Sequence, residues 1–160
     1  MCEVKLKKVG TMMPVIKELL DEGKRVRITV TGMSMYPFLR HNVDSVELMK
    51  TNYANVHRGD IVLIVRKDQQ YILHRIIRKK KKYFYLNGDG QQWCEGPILP
   101  EQMIAKVCNI WRKDHCISCS NKRFKVLSFL WLMVFPFRYL IIETYFFLSK
   151  FLKRVRSNSM

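Results

Sequence analysis

One serine in this sequence stands in a setting that suits a nucleophile. Ser34 lies in the turn GMSMYP, directly after a predicted strand, so a sheet can fix its position. The neighbouring Met33 and Met35 are apolar and can line a pocket for small side chains. Pro37 makes the end of the turn rigid. Catalysis by Ser34 would also require a general base within hydrogen-bond distance.

His74 is the histidine whose surroundings best suit such a base. The chain has four histidines, of which His41 and His57 lie in polar, loop-like stretches and His115 lies in a basic connector. Only His74 lies within an apolar strand, at 71–77. Imidazole has an ordinary pKa near 6.5 and can accept a proton at neutral pH. A strand histidine without a catalytic partner is an ordinary half-buried residue, so this position alone does not assign the role.

The elements that must position these residues are mostly short strands. Between residues 25 and 111, β-branched and polar residues alternate and turn signals such as Arg58-Gly59-Asp60 and Asn87-Gly88-Asp89-Gly90 recur. The predicted strands are 25–31, 43–48, 61–65, 71–77, 83–86 and 104–111. This pattern predicts a mainly β fold, namely a sheet, sandwich or partial barrel.

The strands occupy one of four predicted segments. These are an N-terminal segment at 1–24 with a helix over 12–22, the β domain at 25–111, a basic connector at 112–125 and an apolar tail at 126–160. The first residues lack the charged start and apolar core of a secretory signal. We therefore expect the apolar tail to provide any membrane attachment.

The apolar tail is interrupted by polar residues. Residues 126–148 are almost entirely apolar, but Pro136, Arg138 and Glu143 fall within them. A charge in mid-span costs roughly 2.5–3.5 kcal/mol on insertion scales. The sequence therefore leaves open a tilted span, a re-entrant hairpin bent near Pro136, a helix in the membrane interface and a helix packed on the domain.

The formal charge of +16 favours an anionic partner, either nucleic acid or an anionic membrane. Basic residues flank the apolar tail, which favours the membrane, so no nucleic-acid partner is expected. The basic residues after the apolar run are Lys150, Lys153, Arg154 and Arg156. The prediction is attachment to the cytoplasmic membrane, with the side that holds the β domain left open.

The cysteines do not predict a disulfide framework or a metal site. Their number is five, and an odd count in a chain of 160 residues favours free thiols and a reducing compartment. Cys116 and Cys119 form a CxxC beside His115, a spacing that zinc sites use. No second CxxC or HxxxH completes such a site, so no metal is predicted.

Four short motifs and a closing strand follow one another through the β domain. They are TGMSMYPFL at 31–39, RGDIVLIV at 58–65, YILHRII at 71–77, NGDG at 87–90 and IAKV at 104–107. In this order they resemble the conserved boxes of the signal peptidase I and LexA-like serine peptidases. These are the serine box, the Gly-Asp turn box, the general-base box, and the KGD-type box with its closing strand.

The residue in the third box distinguishes the subfamilies. Bacterial signal peptidases and LexA-like autoproteases have lysine there, whereas this chain has His74 followed by Arg75. The pair resembles the endoplasmic-reticulum and archaeal type of signal peptidase. The resemblance implies Ser34 as nucleophile, His74 as general base and Asp89 as the carboxylate that orients the imidazole. Glu95 stands near the place where the family often has a second aspartate, which leaves the third member of the triad open.

The resemblance also implies a signal-peptidase-like sheet or partial barrel and a reaction without metal or cofactor. An extended substrate would add as a strand beside the serine strand, with its small side chains next to Met33 and Met35. Ser34 would attack the carbonyl, His74 would take the proton, and the backbone N–H of Ser34 would help to hold the oxyanion. The expected activity is removal of a signal or leader peptide from a secreted precursor.

Two other functions compete with this interpretation. A LexA-like self-cleaving switch would need a helix-turn-helix domain and a lysine base, but only about 24 residues precede the first strand. A non-catalytic module that binds membranes or nucleic acid would suit the positive charge, although Ser34, His74 and Asp89 are all present. The chain also departs from the family in having its apolar segment after the β domain rather than before it.

Overall fold

The computed structural model describes residues 9–138, 140–145 and 147–148. The helices are α1 (Val9–Asp21) and α2 (Lys122–Met133), and the strands are β1 (Val26–Thr29), β2 (Asp44–Met49), β3 (Ile61–Val65), β4 (Tyr71–Lys79), β5 (Phe84–Asn87), β6 (Glu95–Ile98), β7 (Met103–Arg112) and β8 (His115–Ser118).

The strands form one antiparallel sheet that does not close into a barrel. Its order is β1-β2-β7-β3-β4-β5-β6, and β8 pairs with β7. Within the described residues β1 and β6 are the two ends of this path, because β1 pairs only with β2 and β6 only with β5. The predicted mainly β fold with a short N-terminal helix is confirmed.

The two faces of the sheet carry different hydrophobic clusters. The larger cluster joins buried residues of α1, such as Met13 and Leu20, to residues of β1, β2, β3 and β7. The smaller cluster contains Ile76 of β4 and residues of β3 and β5. Because successive side chains of a strand point to opposite faces, His74 shares a face with Ile76, and Arg75 points to the other face.

Two strands lie where the sequence predicted no strand. β6 contains Gly96 and Pro97, which are turn signals, but proline is tolerated on an edge strand because no neighbour needs its missing N–H. β8 lies inside the predicted basic connector and pairs with β7, with Asn109 opposite Ser118. The side chains of β8 do not alternate regularly between polar and apolar, so the sequence pattern does not predict this strand.

The described part of the apolar tail is a broken helix. α2 ends at Met133, a 3₁₀ turn at Phe135–Phe137 contains Pro136, and the backbone is helical again at 138, 140–145 and 147–148. Proline cannot donate the hydrogen bond that would continue α2, which explains the break. Within these ranges no helix has both the length and the apolar character needed to cross a membrane.

Candidate active site

The serine loop, residues 31–39, begins where the pairing of β1 with β2 ends. Within the loop, the N–H of Tyr36 donates to the carbonyl of Met33 (3.1 Å), and the N–H of Leu39 donates to the carbonyl of Met35 (2.9 Å). Met35 and Leu39 are buried in the larger cluster and anchor the loop from beneath. Ser34, which directly precedes the first of these anchors, is half-buried.

The turn at 87–90 lies directly against the serine loop. The N–H of Gly90 donates to the carbonyl oxygen of Ser34 (2.8 Å). A Cβ at Gly88 would lie 2.5 Å from that same oxygen, and a Cβ at Gly90 would lie 3.0 Å from the carbonyl oxygen of Met33. The two glycines of NGDG are therefore required by the close approach of two backbones as well as by the turn.

The sheet connects this turn to His74. In the pairing of β4 with β5, Arg75 lies opposite Asn87, so the glycine turn begins beside the residue that follows His74. The turn then holds Ser34 through Gly90. Both Ser34 and His74 lie in the described range, and no hydrogen bond joins them; catalytic hydrogen bonds are often long before substrate binds.

His74 is a buried imidazole beside a carboxylate. Its side chain is 3% exposed, and its Nδ1 lies 3.6 Å from Oε2 of Glu95, too far for a hydrogen bond. Nδ1 is buried and has no hydrogen-bond partner among the residues that the structure describes. Arg66 donates from Nε (2.5 Å) and Nη2 (2.6 Å) to the two oxygens of Glu95. A partly shielded carboxylate therefore faces the unsatisfied nitrogen of the imidazole.

Burial lowers the pKa of His74 below its ordinary value of 6.5. The Glu95 carboxylate raises the pKa and the Arg66 guanidinium lowers it, but loss of hydration is the largest effect because it penalises the imidazolium. The ring is therefore neutral at pH 7 and can accept a proton, which is the state that a general base requires.

Asp89 binds Arg75 rather than the imidazole. Nε and Nη2 of Arg75 donate to the two oxygens of Asp89 at 2.8 and 2.7 Å, and both side chains are 0% exposed. The other terminal nitrogen of Arg75 donates to the carbonyl of Gly59 (2.8 Å) and to Oγ of Ser128 (3.0 Å). This buried ion pair fixes the central residue of the glycine turn.

The described part of the apolar tail completes the surroundings of this ion pair. Arg138 is 2% exposed, donates to Oδ1 of Asn87 (2.8 Å) and lies 3.9 Å from Asp89. Burial lowers the pKa of Arg138 to about 10, so it remains protonated at neutral pH. Phe38 of the serine loop packs against Trp131 of α2, with ring centroids 5.8 Å apart. The tail thus packs on the domain through Arg138, one of the polar residues that interrupt its apolar sequence.

The predicted site residues are placed as follows. Ser34 is held by the glycine turn, His74 faces Glu95, and Asp89 faces Arg75. Of the two predicted pocket methionines, Met33 is 51% exposed, whereas Met35 is 2% exposed and belongs to the core. A side chain buried in the core cannot also line an open substrate pocket.

Several residues that complete the site were not predicted to do so. They are Arg66, Arg75, Ser128 and Arg138. One signal could have revealed the last of them, because a single arginine in an apolar run needs a partner if it is buried. Among the described residues, no group of three or more His, Cys, Asp and Glu side chains could hold a metal ion.

Residues 3–108 match the model of one protein family, whose description is Peptidase S24-like. The matched segment includes α1, the serine loop, the His74 strand, the glycine turn and the IAKV strand. No curated protein gives a significant match to the chain.

Proposed function

The chain belongs to the Peptidase S24-like family, within the LexA and signal peptidase I superfamily of serine peptidases, and we propose that it removes a signal or leader peptide from a secreted precursor. The observation that carries this proposal is the hydrogen bond from Gly90 to Ser34, beside a strand with a buried, neutral histidine. It holds the candidate nucleophile against the turn that follows β5, and β5 pairs with the strand of the candidate base.

In the proposed mechanism, Ser34 is the nucleophile and His74 the general base. The imidazole takes the hydroxyl proton as Oγ bonds to the scissile carbonyl carbon, and the imidazolium then protonates the departing amine. Water, deprotonated by the same imidazole, hydrolyses the acyl-enzyme and regenerates Ser34. No step requires a metal or a cofactor.

We assign the orienting carboxylate to Glu95 rather than to Asp89. Glu95 is the carboxylate beside Nδ1 of His74, while both oxygens of Asp89 are bound by Arg75. Asp89 and Arg75 are then positioning residues, because they hold the turn that in turn holds Ser34.

The free edge of β1 supports binding of an extended peptide. Within the described sheet β1 pairs with β2 alone, so its other side offers backbone groups to an added strand. The serine loop follows directly from β1, which would bring the scissile bond of such a strand to Ser34. The exposed Met33 is the methionine that can contact small substrate side chains.

Attachment to the cytoplasmic membrane is part of the proposal. α2 carries large apolar side chains that are more than half exposed, namely Val126, Leu127, Phe129, Leu130 and Met133. Removing such side chains from water is favourable by about 25 cal/mol per Å². The net charge of +16 supports an anionic surface as the partner.

Co-expression with a secreted precursor tests this function against its two competitors. The precursor carries alanine at the first and third positions before the cleavage site, and mass spectrometry follows both polypeptides. A shortened precursor with an intact chain is the expected result. Cleavage of the chain itself would favour the self-cleaving switch, and no cleavage of either would favour the non-catalytic module. In the same cells, a chain found wholly in the soluble fraction would contradict membrane attachment.

The pH profile of cleavage tests the assignment of His74 and Glu95. Activity should rise with pH through a midpoint below about 6.5 and stay high at pH 7, because only the neutral imidazole accepts the proton. Glu95→Gln removes a carboxylate that raises the pKa and leaves the cation of Arg66, so the midpoint should fall further. The plateau rate should fall by about tenfold, or about 1.4 kcal/mol in the barrier.

The control for this profile is Glu101→Gln, which removes an exposed carboxylate in the turn before β7. It should leave both the midpoint and the plateau unchanged. An unchanged midpoint in Glu95→Gln would contradict the role of Glu95, and a wild-type midpoint well above 7 would contradict His74 as the base.

A further inference from the structure

A cavity of about 670 Å³ lies between α2, β7, β8 and the turn that precedes β3. Its volume is in the range of sites that bind small molecules. Ser34, His74 and Glu95 do not line it. The proposed peptidase mechanism therefore gives this cavity no role.

Four cationic side chains line the cavity. They are Arg25, Arg58, Lys106 and Lys125, and Asp60 is the carboxylate among the lining residues. Lys106 is paired with Asp60 at 2.8 Å. Arg58 and Lys125 are exposed, and within the described part of the chain neither forms an ion pair. These two cations are available to an anionic ligand.

One wall of the cavity belongs to α2, which contributes Lys125 and Ser128 as well as apolar side chains. Phe129 and Leu132 line it, and Phe129 is 54% exposed while Leu132 is 6% exposed. The same helix exposes Val126, Leu130 and Met133 to more than half of their full areas. A ligand in this cavity would therefore meet the cations of Arg58 and Lys125 and, one turn further along α2, apolar side chains.

We propose that the cavity binds the phosphate headgroup of an anionic phospholipid. Arg58 and Lys125 would contact the phosphate by charge-assisted hydrogen bonds. Phe129 and Leu132 would contact the glycerol and the first methylene groups of the acyl chains. An acidic peptide would satisfy the cations but would leave the apolar side chains of α2 in water, which is why the lipid is favoured.

The cavity also adjoins the residues that position the serine loop. Gly59 and Ser128 line it, and each accepts a hydrogen bond from Nη1 of Arg75. Arg75 in turn binds Asp89 in the glycine turn. A bound headgroup would thus be separated from the buried ion pair only by Gly59 and Ser128. This site deepens the membrane attachment proposed above by naming the lipid class and its contacts.

Titration calorimetry of the full chain tests the site directly. The probe is dihexanoyl-phosphatidylglycerol below its micelle concentration, compared with dihexanoyl-phosphatidylcholine, with inorganic phosphate and with a tri-glutamate peptide. The variant Arg58→Gln/Lys125→Gln should bind the anionic lipid about tenfold or more weakly than the wild type. The matched control Lys81→Gln/Lys82→Gln removes the same charge from exposed positions between β4 and β5 and should bind as the wild type does.

Each other outcome overturns the assignment. An equal loss in both double variants would indicate general surface charge, and equal affinity for the zwitterionic lipid would remove the role of the headgroup. Binding of inorganic phosphate as tight as that of the lipid would indicate a free phosphate ligand, and preference for a tri-glutamate peptide would indicate a protein partner. Thermal melting confirms that all variants fold. Because the titration contains no peptidase substrate, a negative result would argue against the lipid site and would not test the proposed peptidase activity.

Discussion

Ser34→Ala is expected to abolish peptide cleavage in a protein that still folds. Loss of a serine nucleophile reduces the rate by several orders of magnitude, because the remaining oxyanion donors and substrate contacts retain only a small part of the catalysis. The contact that fixes Ser34 is its carbonyl oxygen, bound by Gly90, and alanine keeps that oxygen. The free energy of unfolding should therefore change by about 0.5 kcal/mol or less.

Initial rates on a peptide substrate and urea unfolding measured by circular dichroism check these two expectations. Ser45→Ala is the control, since it removes a half-buried hydroxyl from β2, outside the serine loop. It should cleave at nearly the wild-type rate. Full cleavage by a folded Ser34→Ala protein would refute the serine mechanism.

Asp89→Asn is expected to destabilise the fold by about 3–5 kcal/mol, the usual cost of leaving one partner of a buried ion pair without its counterion. The guanidinium of Arg75 is 0% exposed and would lose both charge-assisted hydrogen bonds to a carboxylate. Because Asp89 lies between the two glycines that contact the serine loop, the cleavage rate should fall as well. Urea unfolding at pH 7 measures the stability.

Asp114→Asn serves as the matched control for this variant. Asp114 is exposed in the turn between β7 and β8, so the same loss of charge should change stability by about 0.5 kcal/mol or less. If Asp89→Asn lost no more than that control, the Arg75–Asp89 pair would not be an important part of the fold.

The strands that surround the site could be predicted because their sequences follow a simple period. Ile61–Val65 coincides with its predicted bounds, and the other predicted strands differ by one or two residues at their ends. The glycine turn was also identified, but only as a turn. Its contact with Ser34 joins residues more than fifty positions apart, and no local pattern contains that information.

The carboxylate beside His74 could not be chosen from the sequence for a related reason. Asp89 and Glu95 both follow β5, and either could face the imidazole. Which of them does so depends on the face to which each side chain points, and that depends on the turn geometry and on the edge strand β6. Arg75, the immediate neighbour of His74, points to the opposite face of the sheet and binds Asp89 there.

The apolar tail shows the limit of hydropathy as a guide. Many apolar side chains of its described part are exposed, yet Ser128 and Arg138 are buried and bind the domain. A hydropathy pattern averages over a helix and cannot show that one polar residue is buried against a partner in another strand. The described part of segment 126–160 is therefore packed on the β domain.

The buried contacts of Ser128 and Arg138 set an order of events during synthesis. A ribosome adds Ser34, His74 and Asp89 long before it adds these two residues. Until the segment around Arg138 has left the ribosome, the Arg75–Asp89 pair lacks the contacts with the Ser128 hydroxyl and the Arg138 guanidinium that it has in the complete fold. A nascent chain thus carries every proposed catalytic residue before the tail can complete the surroundings of the Arg75–Asp89 pair.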